Sequence, residues 1–280
     1  MAHFHVIAGA SETPAFPQVR RIGVSDVVAV LRQGLDDFWD KPSHYVFLCL
    51  IYPIAGLVIA RWTSGANTLP LLYPLMSGFA LLGPLAAIGL YEISRRRELG
   101  LDTSWRYAFD VVRSPAIPSI MAVAALLFAI FIAWLLTAQA LYGNLFGPMA
   151  ADTISGFLRQ VFATEQGLRL IVWGNLIGFV FAVVVLCTTV VTFPLLLDRD
   201  VGALVAVWTS IKTVLVNPVA MALWGLIVAA LLVVGFVTLF AGLAVVIPVL
   251  GHATWHLYRR VVAPEASMQA RKKAGGRAAA

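Results

Sequence analysis

Near the close of its last long apolar run the chain reads "GHATWHLYRR", Gly251 to Arg260. His252 and His256 stand four residues apart, so on a helix their rings share one face. Imidazole pairs at that spacing suit zinc or another transition metal, provided further donors complete the set. Three more groups fall at the same level of the chain: His44 opening the first apolar run, Glu92 closing the second and Asp198 closing the fourth. His252, His256, Glu92, His44 and Asp198 are therefore the candidate metal or haem ligands. A second reading is plainer: histidine near a helix C-terminus interacts well with the dipole, and Trp255 and Tyr258 suit a lipid–water boundary as anchors. On the ligand reading the two rings face a bundle interior; on the plainer one they face headgroups or solvent. A pH-sensing role for the pair is a third reading. No particular cofactor is named by the sequence.

The elements that carry these residues belong to a bilayer. Apolar residues make up 60% of the 280, charged residues 12%, and the mean hydropathy is +0.88. Soluble domains carry about a quarter charged residues, so too little charge is present to cover a water-facing surface. Apolar runs span about 43–60, 69–91, 116–141 and 170–197. From Pro218 to Tyr258 no Asp, Glu, Lys or Arg occurs. One helix of that length would reach about 60 Å, twice the hydrocarbon core, so the run predicts two spans with a turn bracketed by Gly235 and Gly242. The runs do not alternate as barrel strands do. The prediction is an all-α polytopic bundle of six transmembrane helices. Cys49 and Cys187 lie inside apolar runs and read as small buried hydrophobes. The opening residues, His3 and His5 among them, lack the basic region and apolar core of a signal peptide and read as a tail.

Lys and Arg collect in cytoplasmic segments. Of the 20 here, only Arg61, Arg159 and Arg169 fall on the other side, which predicts a multi-pass membrane protein with both termini cytoplasmic. That topology accounts for the net charge of +6. The C-terminal tail carries four basic residues, each worth ~1 kcal/mol near anionic lipid; the patch is too short for a nucleic-acid partner.

The runs also repeat. "VAVLRQGLDDFWDKP", "LDTSWRYAFDVVRSP" and "LVAVWTSIKTVLVNP" end at Pro42, Pro115 and Pro218, each opening an odd-numbered span. Counted back from the proline, Leu35, Ala108 and Ile211 share a column, as do Phe38, Val111 and Val214, and then Trp39, Val112 and Leu215. Trp105 and Trp208 coincide as well. The spacing is a helical stripe, predicting amphipathic helices along the interface with Trp39, Trp105 and Trp208 at headgroup level. The even spans repeat through Pro84, Pro194 and Pro248, with Glu92 in the column of His256 and Asp198 in that of His252. The expected domains are a disordered tail 1–22, a transmembrane domain 23–262 of three repeated hairpins (about 23–97, 98–199 and 200–262), and a basic disordered tail 263–280.

The segments "DDFWDKPSHYVFLCLIYPIAGL", "GPLAAIGLYEISRRRELG" and "GHATWHLYRR" resemble the bacterial integral-membrane family catalogued as domain of unknown function 2189, over roughly Arg20 to Val262. The resemblance implies an inner-membrane protein without an established activity, and no functional residue follows from it.

Span middles hold no Asp, Glu, Lys or Arg, which weighs against a proton-driven pump. Asn175, an expected interhelical hydrogen-bond former, and Gln139 are the intramembrane polar candidates; Gly174 and Gly178 around Asn175 permit close packing. Between spans three and four, Ile154, Phe157, Leu158 and Val161 predict a short amphipathic helix capped by Asp152. No phosphate-cradling loop, nucleophile elbow or metalloprotease motif occurs, so no enzyme is expected. Two function classes remain: a scaffold or accessory protein whose collar meets the lipid bilayer, a membrane-protein partner or a second copy, and a permease or channel with a path between repeats.

Overall fold

Proline and apolar length decide where the long helices begin and how far they run. The computed structural model describes residues 16–40, 54, 74–78, 81–147, 154–238 and 240–264. In chain order its helices are α1 (Val24–Asp40), α2 (Ile88–Glu98), the 3-10 helix η1 (Trp105–Arg113), α3 (Ile117–Phe146), α4 (Ile154–Ala163), α5 (Glu165–Thr189), α6 (Thr192–Asp198), α7 (Ala203–Val216), α8 (Pro218–Val237) and α9 (Leu243–Val261). A four-residue turn, Gly83–Ala86, leads into α2. Among the described residues there is no strand, only one isolated antiparallel bridge.

Among the described residues three stretches are long and apolar enough to cross a membrane: Ile117–Phe146, Glu165–Asp198 and Pro218–Val237. Pro118 and Pro218 sit in the first turns of α3 and α8, where a missing N–H leaves nothing unpaired. At most 33% of each most apolar window is buried within the protein, so most of that surface faces outward. α9 is its opposite: fourteen of the 19 residues from Leu243 to Val261 are buried, with α1, α2, α6 and α8 packed around it. The first expected span lies outside the described residues except for Ile54, and the second is described only in part.

The long apolar run after Pro218 does divide. α8 ends at Val237 and α9 starts at Leu243. A Cβ on Gly235 would meet Leu243 at 2.3 Å, and one on Gly242 would come within 3.1 Å of the Gly235 Cα. These glycines serve close approach; the left-handed residue of the turn is Phe240, at φ 66°. α4 forms where its apolar spacing predicts, with Phe157 against Tyr142 of α3. Asp152 lies outside the described residues. Thr164 caps α5 by accepting from the Gly167 N–H. Gly167 is fixed by space, since a Cβ there would stand 2.1 Å from the Val161 carbonyl oxygen.

The stripes preceding the odd spans split into two faces. Phe38, Ala108 and Val111 are buried, whereas Trp39, Val112 and Leu215, one position further on, are 65%, 72% and 72% exposed. The second of these segments winds as a 3-10 helix, held to α2 where Gly89 admits Ala108 at 2.9 Å from an added Cβ.

The N-terminal tail becomes ordered earlier than expected. Residues 18–22 run beside the end of α9: the Arg20 N–H donates to the Val261 carbonyl at 2.7 Å and the Ala263 N–H to that of Gln18 at 2.9 Å. Asn217 closes the seam, accepting from the Ile22 N–H at 2.8 Å and donating to the Arg20 carbonyl at 3.0 Å. The buried end of α9 supplies partners that a free tail would lack, which is why Gln18 to Ile22 depart from the expected disordered segment.

Candidate functional site

The "GHATWHLYRR" stretch lies on α9, and its polar side chains reach out to three other helices. His252 is fully buried, with Nδ1 at 2.7 Å from the Ser94 hydroxyl of α2. The Trp255 indole N–H donates to Glu98 of α2 at 3.1 Å. His256 Nε2 meets Asp37 of α1 at 2.8 Å. The Tyr258 hydroxyl donates to Asp198 of α6. Arg259 joins Glu98 at 2.6 Å and Asp198 at 3.2 Å, and Arg260 reaches Asp26 of α1 at 2.6 Å. Arg97 of α2 completes the ring by pairing with Asp37 and Asp40 of α1.

These contacts form a clasp. Side chains from the last turns of α9 lock α1, α2 and α6 to one end of the bundle. α1 meets Arg260 of α9 near its start and Arg97 of α2 near its end, and the closest approach to α9 is made where Gly34 faces Ala253 and Val249. Arg96 ties the next segment to α2, stacking 3.8 Å over the Tyr107 ring of η1 and lying 3.7 Å from Asp110.

The four described candidate ligands, Glu92, Asp198, His252 and His256, are each engaged by other side chains. Glu92 is buried and taken by Arg95 through bonds of 2.8 and 2.9 Å. Asp198 serves Tyr258 and Arg259, His256 serves Asp37, and His44 lies outside the described residues. Among the described residues no group of three or more His, Cys, Asp or Glu is placed to hold a metal ion. His252 turns inward to Ser94, while His256 is part-buried against Asp37.

The anchors divide likewise. Trp39, Trp105 and Trp208 are 65%, 40% and 54% exposed, but Trp255 and Tyr258 are at 1% and 0%. Their expected place at the lipid boundary is corrected by this burial; the rings pack on each other at 5.5 Å and only their polar tips find carboxylates. Asn175 donates to the Ile171 carbonyl of its own helix at 2.7 Å, and Gln139 is exposed. Gly178 does serve internal packing, its added Cβ falling 3.2 Å from the Trp134 ring.

The acids Asp26, Asp37 and Glu98 and the hydroxyl of Ser94 were not singled out by sequence reasoning. One signal was available. Asp36, Asp37 and Asp40 crowd the C-terminal end of α1, where the dipole disfavours anions, so they demand cations from elsewhere.

Burial pushes the Asp37 carboxyl up, but the hydrogen bond from His256 and the charges of His256, His252 and Arg97 outweigh it and hold the group below its ordinary 3.8. A carboxyl lowered in the folded state adds stability that is present above 3.8 and lost as pH falls through the folded value. α1 is therefore expected to stay docked at neutral pH and to loosen in acid below about pH 4. Protease access to the segment before α1, followed against pH, checks this; an unchanged acid limb in Asp37→Asn would count against the clasp.

Helices of this length and apolarity, exposed over most of their surface, define an integral membrane protein of the helical class. Residues 72–198 match the family model described as "Predicted integral membrane protein (DUF2189)". The match leaves out α1 and α9, the two helices that supply most of the clasp. No curated protein and no solved structure matches the chain.

Proposed function

We propose that the protein is a non-enzymatic scaffold or accessory protein of the bacterial inner membrane. It comprises six spans in three repeated hairpins (about 23–97, 98–199 and 200–262), with both termini cytoplasmic. The observation that carries this reading is the clasp: the side chains most able to do chemistry are committed to one another and to holding helices together. The groove between α3 and α5 points the same way. About 330 Å³ in volume, it is lined by Ala129, Ile130, Ala133, Val180, Phe181 and Val184, with nothing to guide a polar solute. The clasp lies at the basic end of the bundle, and the exposed stripes of α1, η1 and α7 form a collar around it. Solubilised in mild detergent from its native membrane, the protein is expected to run with a stoichiometric membrane partner. Solute flux through the pure protein in liposomes would instead support a permease.

The topology has its own test. Reporter fusions after Arg61 and Gly147 should signal the outer side, and those after Arg97 and Arg260 the cytoplasm. A C-terminus outside would sink the two-span reading of the last apolar run and the threefold repeat with it.

A further inference from the structure

The collar holds a second regularity, one of charge. In α1 the outward side chains Val28, Arg32, Leu35 and Trp39 follow one another at helical spacing; in α7 so do Leu204, Trp208, Lys212 and Leu215. All but Leu204 and Val28 lie within ten residues of the proline that begins the next span. At that same distance η1 presents Trp105, Phe109 and Val112 with Arg113 beside them. Each stripe thus carries exposed apolar or aromatic groups and an exposed cation; η1 has a second, Arg106, which lies 3.6 Å from Asp102.

These cations differ from those of the clasp. Arg97, Arg259 and Arg260 are neutralised by carboxylates. Among the described residues Arg32, Arg113 and Lys212 make no ion pair. Asp36, one turn beyond Arg32, is exposed and does not pair with it, so α1 contributes least. An exposed cation set among apolar groups a turn or two from hydrocarbon meets the phosphate layer.

We propose that Arg32, Arg113 and Lys212 make the collar a binding surface for anionic phospholipid headgroups, with Trp39, Trp105 and Trp208 seated beside them at glycerol depth. This rests on the collar reading above. Charge complementarity decides for lipid: a zwitterionic headgroup offers a phosphate already offset by its own amine, whereas an anionic one gives each cation an unopposed partner. A protein partner would have to cover three separate stripes, each joined directly to a span.

The test compares the parent with Arg32→Gln/Arg113→Gln/Lys212→Gln in nanodiscs of phosphatidylcholine mixed with phosphatidylglycerol. Native mass spectrometry then gives the ratio of the two lipids retained on the released protein. The parent should enrich phosphatidylglycerol, and the ratio should fall about fivefold for each cation removed, the change equivalent to ~1 kcal/mol per basic residue near an anionic surface. Arg159→Gln, an exposed cation on α4 at the opposite end, should behave as the parent. Seating is read separately by a bimane label on Leu215→Cys, in a Cys49→Ala/Cys187→Ala background, with brominated lipid as quencher. Quenching in parent and triple variant together with the fall in ratio supports the proposal. Quenching with an unchanged ratio overturns it and leaves the collar standing. A label that lipid cannot quench overturns both.

Discussion

Gly34→Val is expected to unseat α1 from α9 and to cost several kcal/mol of stability. A Cβ at position 34 would lie 2.6 Å from both the Cβ and the backbone nitrogen of Ala253 and 2.7 Å from the Val249 carbonyl oxygen. Two of those three atoms are backbone, so no rotamer change can make room. Overpacking of this kind costs typically ~1–3 kcal/mol even where the structure yields. If α1 lifts away instead, Val27, Val30 and Phe38, now 0%, 0% and 3% exposed, lose their seat, at ~1.5–3 kcal/mol for each side chain fully uncovered. Limited proteolysis should cut before α1 in the variant and spare the parent. Gly34→Ala should fall between them. Equal protease resistance in Gly34→Val and parent would show that the approach is not as tight as described.

Trp255→Ala should destabilise by about 3–5 kcal/mol, the range for deleting a large buried aromatic. The ring is 1% exposed, packed at a tilt against Tyr258, and the truncation also strips Glu98 of one donor. Trp255→Phe keeps most of the volume and loses the indole N–H, so its cost should be nearer ~1 kcal/mol. Trp208→Ala, at a ring 54% exposed, is the contrast: within ~0.5 kcal/mol of the parent in detergent. Unfolding by dodecyl sulfate in mixed micelles ranks all three. If Trp208→Ala cost as much as Trp255→Ala, the division of tryptophans into buried and boundary kinds would be wrong.

The helical class and the places of the long helices were legible because apolar length and proline punctuation are local signals. The break of the last run near Gly235 and Gly242 follows from length alone. The clasp was half legible. The i, i+4 pair put both histidines on a helix near its basic end, but spacing within one helix cannot say which neighbour each ring meets. His252 faces Ser94 and His256 faces Asp37, contacts that span 158 and 219 residues of chain. Burial of Trp255 and Tyr258 had the same cause. An aromatic near a basic helix end is an anchor when the helix rims the bundle, and α9 stands at its centre. The stripe columns were read as one face because side chains one residue apart look alike in composition; packing sends Phe38 inward and Trp39 outward.

The seam between Gln18–Ile22 and Val261–Ala263 has a bearing on how the chain is made. α1 leaves the ribosome well before α9, yet each is the other's most extensive neighbour. At roughly 5–20 residues per second, the interval between them is on the order of 10–45 s. Throughout that interval the inward stripe of α1 has no α9 to cover it. A chain that stops short of Val261 never closes the seam, and Gln18 to Ile22 stay without the backbone partners that Val261 and Ala263 supply.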